Sequence, residues 1–360
     1  MTLKAPFPWF GGKRRVADVV WRAFGNVPNY VEPFAGSLAV LLGRPHAPKI
    51  ETVNDADRYL ANFWRAVTAD PLAVARHADW PVNEADLHAR HKWLVNQSEF
   101  RERMHAEADF FDAKIAGWWV WGLCQWIGGG WCTEPRNHKH PKLDGIGKGV
   151  HSNQGNPSNW HKRPELKDGG RGVHSDAALN HAGMGVRVNA ALEPKRHLPS
   201  LGNDRGLNGV VAPPCTEWFL ALQQRLRRVR VACGDWTRVL GPSVLGKGKN
   251  VGGRRPCGVL LDPPYAHDMR APYLYAEDDA TISTRVREWA IEHGDDPELR
   301  IALCGYEGEH EMPASWTTYA WTAARGYAGT DNDNRERERI WFSPHCLPIE
   351  EQVDLFGGGR

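Results

Sequence analysis

With 45 Lys and Arg against 43 Asp and Glu, a chain of 360 residues carries a net charge of only +2, so any grip on nucleic acid must come from a local patch rather than a global field. The length exceeds what one small core fills and points to two domains, or to one domain with a large insertion. The seven cysteines are odd in number with no CxxC pair, which reads as a reduced cytosolic protein; no signal peptide is visible, and no run of about 18 apolar residues marks a membrane span.

Phe7-Pro8-Trp9-Phe10-Gly11-Gly12-Lys13 comes first. The glycine pair permits a tight turn and close backbone approach, and Lys13 starts a helical pattern running to about residue 24. Aromatics, two glycines and a lysine make either a lid over an anionic or zwitterionic small molecule or an ordinary turn before a helix. Asn29-Tyr30-Val31-Glu32-Pro33-Phe34-Ala35-Gly36-Ser37, followed by a helix over 38–42, reads as strand, glycine turn and helix. With one glycine in that turn, it is not the dinucleotide fingerprint. A second strand, over 49–53, ends in Asn54-Asp55. An acid at that spacing and at a strand end suits the ribose hydroxyls of an adenosine ligand; alternatively Asp55 caps the helix over 56–69.

Residues 83–127 look all-helical, with Asn83 as an N-cap. The first helix carries Arg90, Lys92, Arg101 and Arg103 on one side. The second, over 109–127, is apolar nearly all round and must be buried, so its tryptophans read as core, with a stacking role as the alternative. Residues 133–212 differ sharply: 12 Lys and Arg, 7 His and 12 Gly leave few aliphatic residues to build a core. This loop region repeats itself in part, His138-Lys139-His140-Pro141 recurring as His161-Lys162-Arg163-Pro164. Basic groups interleaved with glycine across this region, Lys139, Lys162 and Arg163 among them, fit phosphate contacts; a solvated insertion is the other reading. Cys132, His138 and His140 match no standard zinc spacing, and no metal is expected.

A helix over 215–228 and a strand over 229–232 return the chain to the core. Asp235 at that strand's end is either an acceptor for an adenine amine or a surface acid. Lys247, Lys249, Arg254 and Arg255 lie in a Gly-rich loop that would meet a DNA backbone. The apolar run 259–261 then reads as a buried strand, stopped by Asp262-Pro263-Pro264-Tyr265, because prolines cannot donate to a ladder. A carboxylate, a proline carbonyl and a flat ring at a strand's carboxyl end can hold a planar group bearing an exocyclic amine. A helix over 282–293 and strands over 300–303, 317–321 and 339–342 complete the sheet. The charged run 331–339 reads as a solvated hairpin arm, with DNA contact by Arg335 or Arg337 as the alternative. The tail, Gln352-Val353-Asp354-Leu355-Phe356, is similar to the peptide by which bacterial DNA-processing proteins dock on the replication sliding clamp.

Taken together, Trp9-Phe10-Gly11-Gly12-Lys13, Val31-Glu32-Pro33-Phe34-Ala35-Gly36, Asn54-Asp55 and Asp262-Pro263-Pro264-Tyr265 resemble the Dam-type, α-group DNA adenine-N6 methyltransferases. The order fits too: cofactor motifs, a target-recognition insertion, then the catalytic tetrapeptide. The family's second motif glycine is Leu38 here. The resemblance implies an α/β, Rossmann-like S-adenosylmethionine-dependent sheet over 1–75 and 213–346, an inserted helical and loop-rich target-recognition region over 76–212, and a flexible tail over 347–360. It implies that Trp9, Lys13 and the glycines between them contact S-adenosylmethionine, that Glu32, Phe34 and Gly36 form its floor, and that Asp55 holds the ribose. Asp262 would face both cofactor and target amine, with Pro263, Pro264 and Tyr265 completing the catalytic set. The implied reaction is direct in-line transfer to adenine N6 of a base flipped out of double-stranded DNA, by a cytoplasmic, nucleoid-associated monomer. Solitary, restriction-linked and phage-borne enzymes share this resemblance. N4-cytosine methylation, for which serine is common at position 262, protein glutamine methylation and a non-catalytic DNA-binding protein are the competing readings.

Overall fold

The computed structural model describes residues 3–7, 9, 12–107, 109–126, 131–132, 215–247, 256–265, 281–322 and 336–349, and the backbone of 177–179 and 186–188. After a 3-10 turn at Lys13–Val16, the elements are α1 (Ala17–Phe24), β1 (Asn29–Glu32), α2 (Ala39–Leu42), β2 (Ile50–Asp55), α3 (Arg58–Ala69), α4 (Pro71–Ala78), α5 (Glu84–Val95), α6 (Ser98–Ala106) and α7 (Ala113–Leu123). There follow β3 (Ala177–Leu179), β4 (Val186–Val188), α8 (Cys215–Leu226), β5 (Val229–Cys233), a 3-10 turn at Trp236–Val239, β6 (Cys257–Leu261), α9 (Ile282–His293), β7 (Leu299–Tyr306), β8 (Thr317–Ala320) and β9 (Glu338–Phe342).

Seven strands form one sheet in the order β5-β2-β1-β6-β7-β9-β8, and β3 pairs with β4 alone. The first five are parallel; β9 runs antiparallel to both β7 and β8. Every residue of β1 and β6 is buried, as expected of parallel strands covered on both faces. Alternation divides their side chains between two apolar layers. Tyr30, Leu260, Ala302, Cys304, Ile340 and Phe342 face the larger layer, with α1, α3, α7 and α8; Val31, Val259, Leu261, Ile301, Leu303 and Trp341 face the smaller one, with α9 and Trp236. From β1 the chain first moves outward through β2 to β5, then returns to lay β6 on the other side of β1. That reversal leaves a crevice outside the carboxyl ends of β1 and β6, where open α/β sheets take their ligands.

The helical region differs from its sequence reading in three places. The first predicted helix is two, α5 and α6, because the side-chain amides of Asn96 and Gln97 bond the Lys92 and Trp93 carbonyls that the next turn would use. Arg90 does not belong to an exposed basic face: it is 6% exposed, its guanidinium 4.2 Å from the Trp121 ring centroid and 5.0 Å from that of Trp118. The second helix starts only at Ala113, because Asp109 takes a left-handed φ of 60° and Asp112 caps the Ile115 N–H. Asn83 is the N-cap of α5, accepting from the Asp86 N–H at 2.7 Å. Trp119 and Trp121 are core, and α7 shares one apolar layer with α3 and α8. All seven cysteines are free thiols. Among the described residues no helix is long and apolar enough to cross a membrane, and no three potential ligands are grouped to hold a metal.

Candidate active site

The crevice begins at the turn after β1. Gly36 takes φ +46°, and a Cβ there would lie 2.7 Å from the Trp9 indole nitrogen. Only glycine fits beneath that ring. The Trp9 ring also meets Phe7 edge-on and lies 6.4 Å from Trp119, so the N-terminal segment is anchored by α7. Leu38 sits in the left-handed region at φ 54° while fully buried, so this turn keeps the glycine-like backbone at the family's second glycine position. Burial of the leucine side chain offsets the roughly 1–2 kcal/mol such a conformation costs.

Asn54 and Asp55, at the end of β2, hold this turn. The Asn54 amide donates to the Pro33 and Gly234 carbonyls at 3.1 and 2.9 Å, and its backbone carbonyl accepts from the Ala35 N–H. Asp55 accepts from the Gly36 N–H through Oδ2 (3.0 Å) and from the Asp57 N–H through Oδ1 (2.9 Å). It is not the cap of α3. Asp57 is, taking the Tyr59 and Leu60 N–H groups. Each Asp55 oxygen keeps a lone pair for a further donor, such as a ribose hydroxyl. Burial and the neighbouring Asp57 charge push its pKa up to about 7 against the ordinary 3.8, with the backbone N–H groups of Asp57 and Gly36 opposing. Glu32, the last residue of β1, is buried and accepts from the Tyr30 hydroxyl at 3.1 Å; burial lifts its pKa well above the carboxylate range. Phe34 stacks on Trp236 with centroids 6.1 Å apart. Asp235 caps the 3-10 turn after β5 through the Thr237 N–H and is exposed.

Asp262-Pro263-Pro264-Tyr265 leaves the adjoining end of β6, and Lys13 joins it to the N-terminal half. The Lys13 ammonium lies 2.9 Å from Asp262 Oδ1 and donates to the Tyr265 hydroxyl at 2.9 Å. That hydroxyl donates to Glu338 Oε2 at 2.8 Å. Lys13 is therefore drawn to the tetrapeptide 262–265. Its side chain is 5% exposed, whereas Asp262 keeps 23% and remains reachable from the crevice. Burial works against the Lys13 charge, but Asp262 and Glu338 outweigh it and raise its pKa. Burial raises Asp262 and Glu338 as well, with Lys13 pulling both back. The Tyr265 ring is buried, edge-on to Tyr306 with centroids 4.5 Å apart.

Glu338 is the residue that sequence reasoning missed. The run 331–339 is not solvated throughout: Glu338 opens β9 at 3% exposure. Extending the predicted strand 339–342 by one residue would have set Glu338 on the face of Ile340 and Phe342. Arg337 donates to the Glu307 carbonyl and lies 5.8 Å from the Tyr306 ring centroid. Lys247 is paired with Asp296. Gly12 is described and exposed. Gly11, Lys139, Lys162, Arg163, Lys249, Arg254, Arg255 and Arg335, and the peptide Gln352, Val353, Asp354, Leu355 and Phe356, lie outside the described residues, as do His138 and His140.

The donor set fits an adenosine-type cofactor with a cationic end. The Gly36 cradle beneath Trp9 is closed to any side chain, Asp55 stands nearby for hydroxyls, Glu32 adds a buried carboxyl, and Asp262 supplies negative charge. Residues 9–113 match the family model described as D12 class N6 adenine-specific DNA methyltransferase. The resemblance carried by the motifs is thus shown over that segment, and the family it names is one of enzymes that methylate adenine in DNA. The match takes in Trp9, Lys13, Glu32, Phe34, Gly36 and Asp55 and stops before the tetrapeptide at 262–265. No curated protein matches the chain.

Proposed function

We propose that this enzyme, whose segment 9–113 is of the D12 class N6 adenine-specific DNA methyltransferase family, transfers a methyl group from S-adenosylmethionine to N6 of an adenine flipped out of double-stranded DNA. One observation carries the reading. The 2.9 Å pair between Lys13 and Asp262 joins the family-matched segment to the tetrapeptide at the point where strand order reverses.

The cofactor supplies an activated methyl group on a sulfonium. Trp9, Gly11 and Gly12 cover it, Glu32, Phe34 and Gly36 form its floor, and Asp55 accepts from the ribose hydroxyls; Asp235 stands by for the adenine amine. The Asp262 carboxylate and the Pro263 carbonyl accept from the target amine. Those bonds draw its lone pair out of the ring and aim it, so the protein's work is chiefly positioning. Stacking on Tyr265 helps repay the cost of unstacking the base. The sheet is accordingly the Rossmann-like sheet of this class, with the loop region 133–212 and the basic loop at 247–255 as DNA contacts. The enzyme acts as a monomer with the DNA, in the cytoplasm and nucleoid. Incubation with labelled S-adenosylmethionine and DNA, followed by identification of the modified base, tests the reading. N6-methyladenine supports it; N4-methylcytosine or no transfer overturns it.

The ribose role predicts a pH dependence. Asp55 keeps its proton in the folded protein up to about pH 7, whereas in the unfolded chain it gives it up near 3.8. Its contribution to stability is therefore present below the lower value and lost as pH rises through the upper one. The ionised form is the better acceptor for hydroxyls, so cofactor affinity should rise as pH passes through about 7. Asp55→Asn should weaken binding and flatten that rise. Calorimetric titration at several pH values checks both, and an unchanged affinity in the variant removes the ribose role.

The tail 352–356 adds a second partner, the bacterial sliding clamp: one amide and two large apolar anchors suit a groove. Deleting 352–356 should leave methylation of short oligonucleotides intact and abolish clamp capture. A truncated protein that still captures the clamp sinks this part.

A further inference from the structure

Asp262 faces two claims. In the proposed reaction it accepts from the target amine. In the structure its Oδ1 holds the Lys13 ammonium at 2.9 Å. Lys13 is nearly sealed from solvent, and stripping a buried ammonium of its counter-charge is strongly unfavourable. An incoming amine competes with the lysine for that carboxylate, and drawing it away costs less if the lysine has another anion to turn to. Glu338 Oε2 lies 3.9 Å from the same ammonium, on a side chain 4% exposed. The two carboxylates flank the lysine, and the flexible four-carbon stem of Lys13 can swing the charge between them.

Tyr265 makes that swing short. Its hydroxyl accepts from Lys13 at 2.9 Å and donates to Glu338 at 2.8 Å. Lys13 keeps the tyrosine bond at either end of its travel, while the tyrosine fixes the orientation of Glu338. The Tyr265 and Trp321 ring centroids, 5.2 and 5.8 Å from the ammonium, offer π-faces along the way. A leucine on β9 would fill the same apolar layer beside Ile340 without burying a charge. A carboxylate here both accepts from the Tyr265 hydroxyl and stands ready to receive the cation.

We infer that Glu338 is a positioning residue: it takes over Lys13 when the target amine claims Asp262, and so frees the acceptor. The inference rests on the proposed role of Asp262. Glu338→Gln keeps the side chain's shape and removes the receiving charge, leaving Lys13 on Asp262. We expect kcat to fall by about 10- to 100-fold, the value of one charge-assisted hydrogen bond. Cofactor affinity by calorimetry should stay within about twofold, since no cofactor contact is lost. Glu338→Asp should restore part of kcat. In a Lys13→Met background there is no ammonium to rehouse, so adding Glu338→Gln should lower kcat no further. An equal loss with and without Lys13, or an unchanged kcat in Glu338→Gln, overturns the hand-over.

A second measurement does not depend on the variants folding. In a crystal of the wild-type protein with S-adenosylhomocysteine and a duplex carrying its mapped target adenine, Lys13 Nζ should lie within hydrogen-bond distance of Glu338 and away from Asp262. A lysine still on Asp262 beside a bound amine overturns the proposal. Failure of the underlying reading looks different: Asp262→Ala would remain active. A dead Asp262→Ala with inert Glu338 substitutions removes the hand-over alone.

Discussion

Asp262→Ala should remove methyl transfer while leaving a folded protein. The carboxylate is the one acid of the Lys13 cluster that keeps substantial exposure, 23% against 4% for Glu338, so it is the one that can meet a substrate. Losing a preorganised acceptor at a reacting centre lowers kcat by about 100- to 1000-fold in comparable cases, and here the same group also orients the amine. The fold should survive, because the Lys13 ammonium retains Glu338 at 3.9 Å and the Tyr265 hydroxyl at 2.9 Å. Asp262→Asn should fall between wild type and Ala: its amide oxygen still accepts, but its NH2 opposes the incoming amine. Transfer of labelled methyl to DNA gives the rate, and thermal unfolding gives the fold. Near wild-type methylation by Asp262→Ala would end the assignment.

Much of the frame was legible because it obeys local rules. Helix α9 has the predicted bounds, Ile282–His293, and β6 carries the apolar run that ends at Asp262. Asn83 caps its helix because its own side chain reaches the Asp86 N–H three residues on. The misses come from interactions that hydrophobic periodicity does not encode. Asp55 and Asp57 are equally good N-caps by type, and the choice fell to Asp57 because the Gly36 turn, far away in sequence, claims Asp55. The break between α5 and α6 comes from two side-chain amides competing with the helix, in a stretch whose periodicity runs on. Arg90 reads in sequence as one of a row of charges on a helix side, but three indoles close on it.

Glu338 shows how the same limit hides function. Its neighbours Glu336, Arg337 and Arg339 make a pattern that reads as water-facing. Its partners are a lysine near the other end of the chain and a tyrosine after β6. Only the sheet order, which seats β9 beside β7 and β7 beside β6, brings them together. In the proposed hand-over the tetrapeptide grips the amine, and the sheet supplies the counter-charge that lets that grip open.

A second buried charge group, at the opposite ends of the strands, should prove structural. Glu51, the second residue of β2, is 1% exposed and lies between Arg44 and Arg225. Arg225 binds it with both terminal nitrogens, at 2.7 and 2.9 Å, and also donates to the Leu41 carbonyl. Arg44 holds Glu51 Oε1 at 3.1 Å and lies 4.9 Å from the Trp21 ring centroid. The triad thus fastens β2 to α8 and to the segment after α2. Glu51→Ala strands two guanidinium groups, one of them wholly buried, and removal of one partner from such a pair costs about 3–5 kcal/mol. Denaturant unfolding should register that loss as a lower midpoint with little change in slope. Replacing all three charges by apolar residues of similar volume should recover most of it, since the penalty lies in the unpaired cations rather than in the missing attraction. Asp55, Asp262 and the Gly36 turn stand at the carboxyl ends, a strand's length away. Below its unfolding transition Glu51→Ala should therefore bind cofactor and turn over like the wild type per folded molecule. A destabilisation under about 1 kcal/mol, the worth of an exposed pair, would mean the triad is no more than a surface contact.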